Sequence, residues 1–130
     1  MYYQLRRRDG TPDSLSRGFL VERDGGARSL PLERVELTVL ESWESPLGGT
    51  VYPGRWRLAV PKEGIELVVV PVLPHQELDL TFRYWEGAVR VTGTGPSEGL
   101  EGRGYVELTG YADAAGSEEV PGLGRTTLPI

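Results

Sequence analysis

The sequence predicts an all-β protein, and we expect a single antiparallel up-and-down β-barrel of about eight strands. Short stretches alternate apolar and polar residues at a period of two, as strands with one buried face do. Turn signals separate these stretches roughly every 8–12 residues, and the chain contains 18 Gly and 10 Pro. No long stretch repeats apolar residues at helical spacing. A two-sheet sandwich is the alternative architecture.

The composition sets limits on domain organisation and function. A chain of 130 residues, 38% of them hydrophobic, suits one domain over residues 1–130 with a real core. The net charge of −5 argues against nucleic acid as a partner. With no Cys and one His, we expect no disulfide, no cysteine nucleophile, no zinc site and no cofactor. No apolar stretch is long enough to span a bilayer and no signal peptide is visible, so the localisation is left open.

The elements follow in order along the chain. Asp24, Gly25 and Gly26 form a hairpin signal, because Gly tolerates a positive φ. Residues 45–54 read as a long loop, and Gly87 suggests a bulge or bend inside a long strand. Eight strands are predicted, at 1–8, 18–22, 34–43, 55–61, 65–74, 77–93, 103–111 and within the 112–130 tail.

Two neighbouring strands carry aromatic and acidic residues where a packed barrel would have aliphatic ones. Tyr84 and Glu86 share one face of the first strand, and Tyr105 and Glu107 share one face of the second. If Val106 and its apolar neighbour face the core, the Tyr and Glu side chains are solvated, and Glu107 pairs with Arg90 or Arg103. If the faces are reversed, the Tyr and Glu side chains line a partly polar cavity.

The second orientation would suit catalysis. Aromatic surroundings raise the pKa of a carboxyl group, and two such groups in one cavity, Glu86 and Glu107, would separate into an acid and a base. The hydroxyls of Tyr84 and Tyr105 could then stabilise an oxyanion. His75, the one histidine, is a further candidate base.

Other residues are candidates for a serine nucleophile or for an apolar ligand site. Ser42 and Ser45 lie in or beside the long loop, but no G-x-S-x-G motif exists, which excludes an α/β-hydrolase mechanism. Four aromatic side chains supply either core packing or a wall for an apolar ligand, namely Trp43, Trp56, Trp85 and Tyr111.

Several stretches resemble a known family when they are read in order: "YQLRRRDG" (3–10), "SWESPLGGTVYPGRW" (42–56), "HQEL" (75–78), "YWEGAV" (84–89) and "GRGYVELTGY" (102–111). Together they resemble the second lipocalin-like domain of AttH-like proteins and carotenoid hydratases (hydroxyneurosporene synthases). The resemblance covers nearly the whole chain. It implies a lipocalin-like barrel, and family members are often labelled as secreted hydrolases.

The resemblance also has two departures. Family members usually carry two lipocalin-like domains, and the first has no counterpart here, so we do not expect carotenoid hydration. The position of His75 is usually acidic in the family. The function expected from sequence and resemblance is ester hydrolysis of a small apolar or acyl ester bound in the barrel. The alternatives are a non-catalytic binding module for a hydrophobic molecule and a structural half of a two-domain protein, with a homodimer replacing the first domain.

Overall fold

The chain folds into nine antiparallel strands in a computed structural model that describes residues 1–112. The predicted edge strand in the 112–130 tail lies outside the described residues apart from residue 112. The strands are β1 (Tyr2–Tyr3), β2 (Arg17–Val21), β3 (Ala27–Pro31), β4 (Glu36–Glu44), β5 (Val51–Val60), β6 (Ile65–Pro71), β7 (Glu77–Asp79), β8 (Arg83–Gly93) and β9 (Glu101–Leu108).

Strands β1, β2 and β3 form a three-stranded sheet in that order. The predicted hairpin is confirmed: the N–H of Glu22 donates to the carbonyl of Gly26 at 2.8 Å, and Gly25 has a φ of 89°. The predicted first strand is much shorter than expected. The chain folds back after Arg6, where the N–H of Arg7 bonds to the carbonyl of Thr11 at 2.9 Å, so only two residues pair with β2.

The second sheet has six strands, with β4, β5, β6 and β8 adjacent in that order and β9 on the far side of β8. Strand β7 pairs with the first part of β8, and β6 pairs with the last part, so both lie along the same edge of β8. The predicted strand at 77–93 is therefore two strands separated by a turn. The predicted loop at 45–54 ends early, because Val51 and Tyr52 already pair with β4.

The bulge predicted at Gly87 is absent from the β8–β9 ladder, which pairs every residue from Trp85 to Thr92 without a shift. Gly87 instead permits a close approach. A Cβ at this position would lie 2.3 Å from the side-chain amide carbon of Gln76. That amide fills the gap between β6 and β7 by bonding to both backbone groups of Ala88, at 2.9 and 3.1 Å.

The predicted all-β, antiparallel, lipocalin-like fold class is confirmed. Within residues 1–112 the backbone ladders form two sheets and do not close into one ring. Pro31 ends β3, and a 3-10 turn at Leu32–Arg34 redirects the chain before β4 begins. None of the helical segments among the described residues is both long enough and apolar enough to cross a membrane.

Within residues 1–112, two apolar clusters make up the core. The first is centred on Leu30, Val35 and Val60, and it joins the three-stranded sheet to the larger one. The second is centred on Tyr52, Trp85 and Val89, and it packs on the inner face of the six-stranded sheet. The candidate site lies against the second cluster.

Candidate functional site

A carboxylate is buried at the edge of the second core cluster. The side chain of Glu77, in β7, has an exposed fraction of 0%. Its Oε1 accepts a hydrogen bond from the hydroxyl of Tyr52 at 2.8 Å, and its Oε2 accepts one from the hydroxyl of Ser45. The Nε of Arg83 lies 3.9 Å from Oε1. A buried charge is tolerated only when it is hydrogen-bonded and paired, and Glu77 meets both conditions.

The loop between β4 and β5 is held by this carboxylate and by Arg83. The hydroxyl of Ser45 also accepts a hydrogen bond from the N–H of Leu47 at 3.0 Å, and a guanidinium nitrogen of Arg83 donates to the carbonyl of Leu47. Gly48 and Gly49 have φ values of 91° and 74°, which other residues rarely adopt. The loop therefore turns tightly and stays close to β7 and β8.

The proximity of Glu77 changes the chemistry of Tyr52. Burial, and then the hydrogen bond and negative charge of Glu77, hold the pKa of the Tyr52 phenol well above its usual range. Tyr52 is therefore a neutral hydrogen-bond donor at physiological pH. It supports the carboxylate, and it is not a source of a phenolate base.

Aromatic rings flank Tyr52 on two sides. Trp43 stacks on Tyr52 with ring centroids 6.1 Å apart, and His75 lies 5.6 Å from Trp43. On the other side of Tyr52, the ring of Tyr111 is 5.6 Å away. The guanidinium of Arg6 lies 3.8 Å above the Tyr111 ring, in cation–π geometry. Burial raises the pKa of Tyr111, although Arg6 opposes the shift.

A pocket of about 260 Å³ opens beside Trp43 and Trp85. Trp85 is fixed in its wall because its indole N–H donates to the carbonyl of Pro74 at 2.7 Å. The lining is mainly apolar, and it comprises Glu41, Ser42, Trp43, Pro53, Gly54, Val70, Pro71, Pro74 and Trp85. This volume lies just below the range for ligand pockets, about 300–1,000 Å³.

The side chains proposed as catalytic are not gathered around this pocket. Tyr105 is 66% exposed, while Val106 and Leu108 of the same strand pack on the core. The register places Glu86 directly opposite Glu107, on the same outer face as Tyr105. Of the two orientations considered from the sequence, the structure has the one in which Val106 and Leu108 take the inner face and the Tyr and Glu side chains lie outside. The ion pairs predicted for Glu107 with Arg90 or Arg103 are also absent from the described residues.

The remaining predicted residues lie on the outer face, on the surface beside Trp43, or in the core. Partial burial, together with the charge of Glu86, raises the pKa of Tyr84, which belongs to the outer face. His75 is exposed and packs against Trp43. Trp56 is buried but does not line the pocket. The catalytic roles assigned to these residues stay predictions.

Sequence reasoning missed three members of the buried cluster: Tyr52, Glu77 and Arg83. Glu77 was missed because a period-two pattern does not show which face of a strand is buried. Its neighbour Leu78, on the opposite face of β7, is 38% exposed. The available signal was positional, since Tyr52 and Glu77 lie in the stretches "SWESPLGGTVYPGRW" and "HQEL" that carry the family resemblance.

Comparisons with known proteins agree with this resemblance. Residues 1–111 match the model of a family described as AttH-like. A solved structure from Nitrosomonas europaea, labelled as AttH, is similar to this chain with a TM-score of 0.72 and 31% sequence identity. The similarity covers 83% of this chain and 33% of that one, so the chain spans about a third of that relative's length. No curated protein sequence shows significant similarity to this chain.

Proposed function

Because this chain belongs to the AttH-like family, we propose that it is a lipocalin-like module that binds a small apolar or amphipathic molecule in the pocket beside Trp43 and Trp85. The observation that carries the proposal is the pocket itself. Two indole rings, three prolines and a valine supply an apolar lining, while Glu41 and Ser42 supply polar groups that could orient a ligand.

The buried cluster supports binding by fixing the pocket wall. Trp43 lines the pocket and stacks on Tyr52, and Tyr52 bonds to Glu77. Glu77 also accepts a hydrogen bond from Ser45. The same carboxylate therefore fixes both the segment that follows β4 and, through Tyr52, the indole ring of Trp43. A wall that is rigid before binding loses less conformational entropy when the ligand arrives.

Ester hydrolysis is the second candidate function. The observation in its favour is that Ser42 lines the pocket and that His75 packs against Trp43, which lines the same pocket. Ser45 is less suited as a nucleophile, because it is only 2% exposed and its hydroxyl bonds to Glu77. Glu86 and Glu107 lie opposite each other on the outer face, and neither lines the pocket.

Binding can be tested by filling the pocket. Val70 lines the pocket. Val68 points to the same side of β6 as Val70 but does not line the pocket. We expect Val70→Trp to raise the dissociation constants of decanoate and 2-naphthol at least about tenfold, and Val68→Trp to leave them unchanged. Titration calorimetry of both variants and the unchanged chain measures this. No binding of either probe to the unchanged chain, or equal binding by both variants, would contradict the proposal.

The same proteins separate binding from hydrolysis. We expect no turnover of 4-nitrophenyl esters above the heat-inactivated control, at any acyl length. Turnover that falls about tenfold or more in Ser42→Ala or His75→Ala would instead support the esterase function. Turnover that responds to Glu86→Gln would restore the outer face as a catalytic candidate.

A second copy of the chain, the other partner predicted from the sequence, would use a different surface from this pocket.

A further inference from the structure

The outer face of β8 and β9 carries its charges in rows. We define the hairpin face as the outward side chains of these strands between Tyr84 and Thr92 and between Glu101 and Glu107. Glu86 lies directly opposite Glu107, and Arg90 lies directly opposite Arg103. Like charges at opposed positions of an antiparallel pair destabilise it. This hairpin therefore carries one acidic row and one basic row, and each is unfavourable in the isolated chain.

A neutral row separates the two charged rows. Ala88 pairs with Tyr105 midway between them. Glu86 and Arg90 are each two residues from Ala88, so both charged rows lie about 6.7 Å from the neutral row, on opposite sides. The pattern of charge reverses about the Ala88–Tyr105 row, while the spacing is preserved.

The charges of the hairpin face have no ion-pair partners within the described part of the chain. None of Glu86, Arg90, Arg103 and Glu107 makes an ion pair among residues 1–112. Elsewhere on the sheet, opposite charges are interleaved, as where Arg57 bridges Glu36 and Glu66. A depression of about 590 Å³ adjoins Arg90 and Arg103 and leaves room for a partner's side chains.

We propose that the hairpin face is the interface of a symmetric homodimer, with a twofold axis that crosses the strands at Ala88 and Tyr105. This rotation reverses the strand direction. The acidic row of one copy then faces the partner's basic row, and its basic row faces the partner's acidic row. Both pairs of rows coincide because their distances from the axis are equal. A twofold interface is self-complementary, and the hairpin face has that property in its charges.

A second copy fits this face better than a small ion does. An anion would satisfy only Arg90 and Arg103, and a cation only Glu86 and Glu107. Tyr105, which is 66% exposed, stands on the proposed axis, and tyrosine is enriched in protein interfaces. The net charge of −5 opposes self-association in general, so the local pattern of rows supplies the attraction. This inference goes beyond the proposed binding function, which uses other residues.

Reversing one row at a time tests the interface. Glu86→Arg with Glu107→Arg makes both charged rows basic, and Arg90→Glu with Arg103→Glu makes both acidic. We expect each double variant alone to have a dimer dissociation constant raised at least about tenfold, and an equimolar mixture to form a one-to-one dimer. Sedimentation velocity at low ionic strength, from about 5 to 500 µM chain, measures all three and the unchanged protein.

Matched controls change the same charge elsewhere. Glu33→Arg with Glu98→Arg, and Arg17→Glu with Arg23→Glu, alter exposed positions without ion pairs in residues 1–112. Neither control should prevent dimerisation. If a row variant fails to fold, as circular dichroism would show, Tyr105→Lys gives an independent test. It places two like charges beside the proposed axis, and we expect it to abolish the dimer.

Two results would overturn the inference. The unchanged protein could sediment as a monomer at every concentration, which would mean that the hairpin face is solvated or is covered by another part of a longer protein. Alternatively, a dimer could persist in both row variants and in Tyr105→Lys, which would place the interface elsewhere. Loss of the dimer in the row variants and controls alike would also contradict it, because the effect would then come from net charge.

Discussion

The hydroxyl of Tyr52 donates one of the hydrogen bonds that stabilise the buried carboxylate of Glu77. Tyr52→Phe removes one donor to Glu77 and keeps the ring that stacks on Trp43. We expect the free energy of unfolding near neutral pH to fall by about 1.5–3 kcal/mol, the range for a hydrogen bond to a charged group. Urea unfolding followed by tryptophan fluorescence measures this. Tyr105→Phe, on the exposed outer face, is the matched control and should change stability by less than about 0.5 kcal/mol.

The interaction between Tyr52 and Glu77 should also make stability depend on pH. The folded-state pKa of Tyr52 is raised above the ordinary value of 10.0, first by burial and then by Glu77. A raised pKa means that the folded chain binds the phenolic proton more tightly than the unfolded chain does. The contribution of Tyr52 is therefore complete below pH 10 and is lost as the pH rises through the folded-state pKa. The stability difference between the unchanged protein and Tyr52→Phe should narrow above pH 10, and a constant difference up to pH 11 would contradict this.

Single residues show how far the sequence determines a site. Trp43 and Trp85 were predicted as ligand-wall candidates, because large aromatic side chains seldom stay exposed whatever their strand does. Glu77 could not be found in this way. A period-two pattern defines two faces of a strand but not which one is inside, and in β7 Glu77 is buried while Leu78, on the opposite face, is 38% exposed.

At the scale of elements, the gap between β6 and β7 along β8 is sealed by one amide. The side chain of Gln76 bonds to the carbonyl of Leu73 and to both backbone groups of Ala88. A Cβ on Gly87 would lie 2.3–2.5 Å from the amide atoms of Gln76. Gly87→Ala therefore expels the amide, and we expect it to lower the free energy of unfolding by about 2–3 kcal/mol, measured by urea unfolding.

A double-mutant cycle isolates this contact. In a Gln76→Ala background the clash is gone, so Gly87→Ala should cost about 1 kcal/mol or less. Gly102→Ala, in β9, is the control, because its Cβ would meet no atom closer than 3.8 Å. Equal costs of Gly87→Ala in both backgrounds would show that the strain comes from the backbone of β8.

Element boundaries were predicted less well than the existence of strands. The alternation in 34–43 gave β4 to within a few residues, since a regular period-two pattern survives folding. The long apolar and aromatic stretch at 77–93 was read as one strand, although a turn divides it. Leu80 and Phe82, in that turn, are exposed, so their hydrophobicity imitates a strand that the backbone does not form.

For the whole molecule, the sequence predicts the strand class and antiparallel order but not the division into two sheets. The division depends on the turn at Leu32–Arg34, where three residues redirect the chain after Pro31. Within the described residues, side chains and not backbone ladders join the sheets, through the cluster around Leu30 and through ion pairs of Glu63 with Arg28 and Arg34. Exposed ion pairs contribute little, so the apolar cluster carries most of that connection.

This connection predicts that the three-stranded sheet opens separately from the six-stranded sheet. Leu30→Ala removes the central side chain of the joining cluster, and we expect the opening free energy of amides in β2 and β3 to fall by about 2–5 kcal/mol. The amides of β8 should keep their protection, because the cluster around Trp85 and Val89 is untouched. Native-state hydrogen exchange measures both sets in one experiment. Val89→Ala is the matched control and should lower protection in β8 but not the lower-energy opening of β2 and β3. If Leu30→Ala reduced the protection of β8 by the same amount as that of β2, the two sheets would unfold as one cooperative unit, and the connection between them would be stronger than its side-chain contacts indicate.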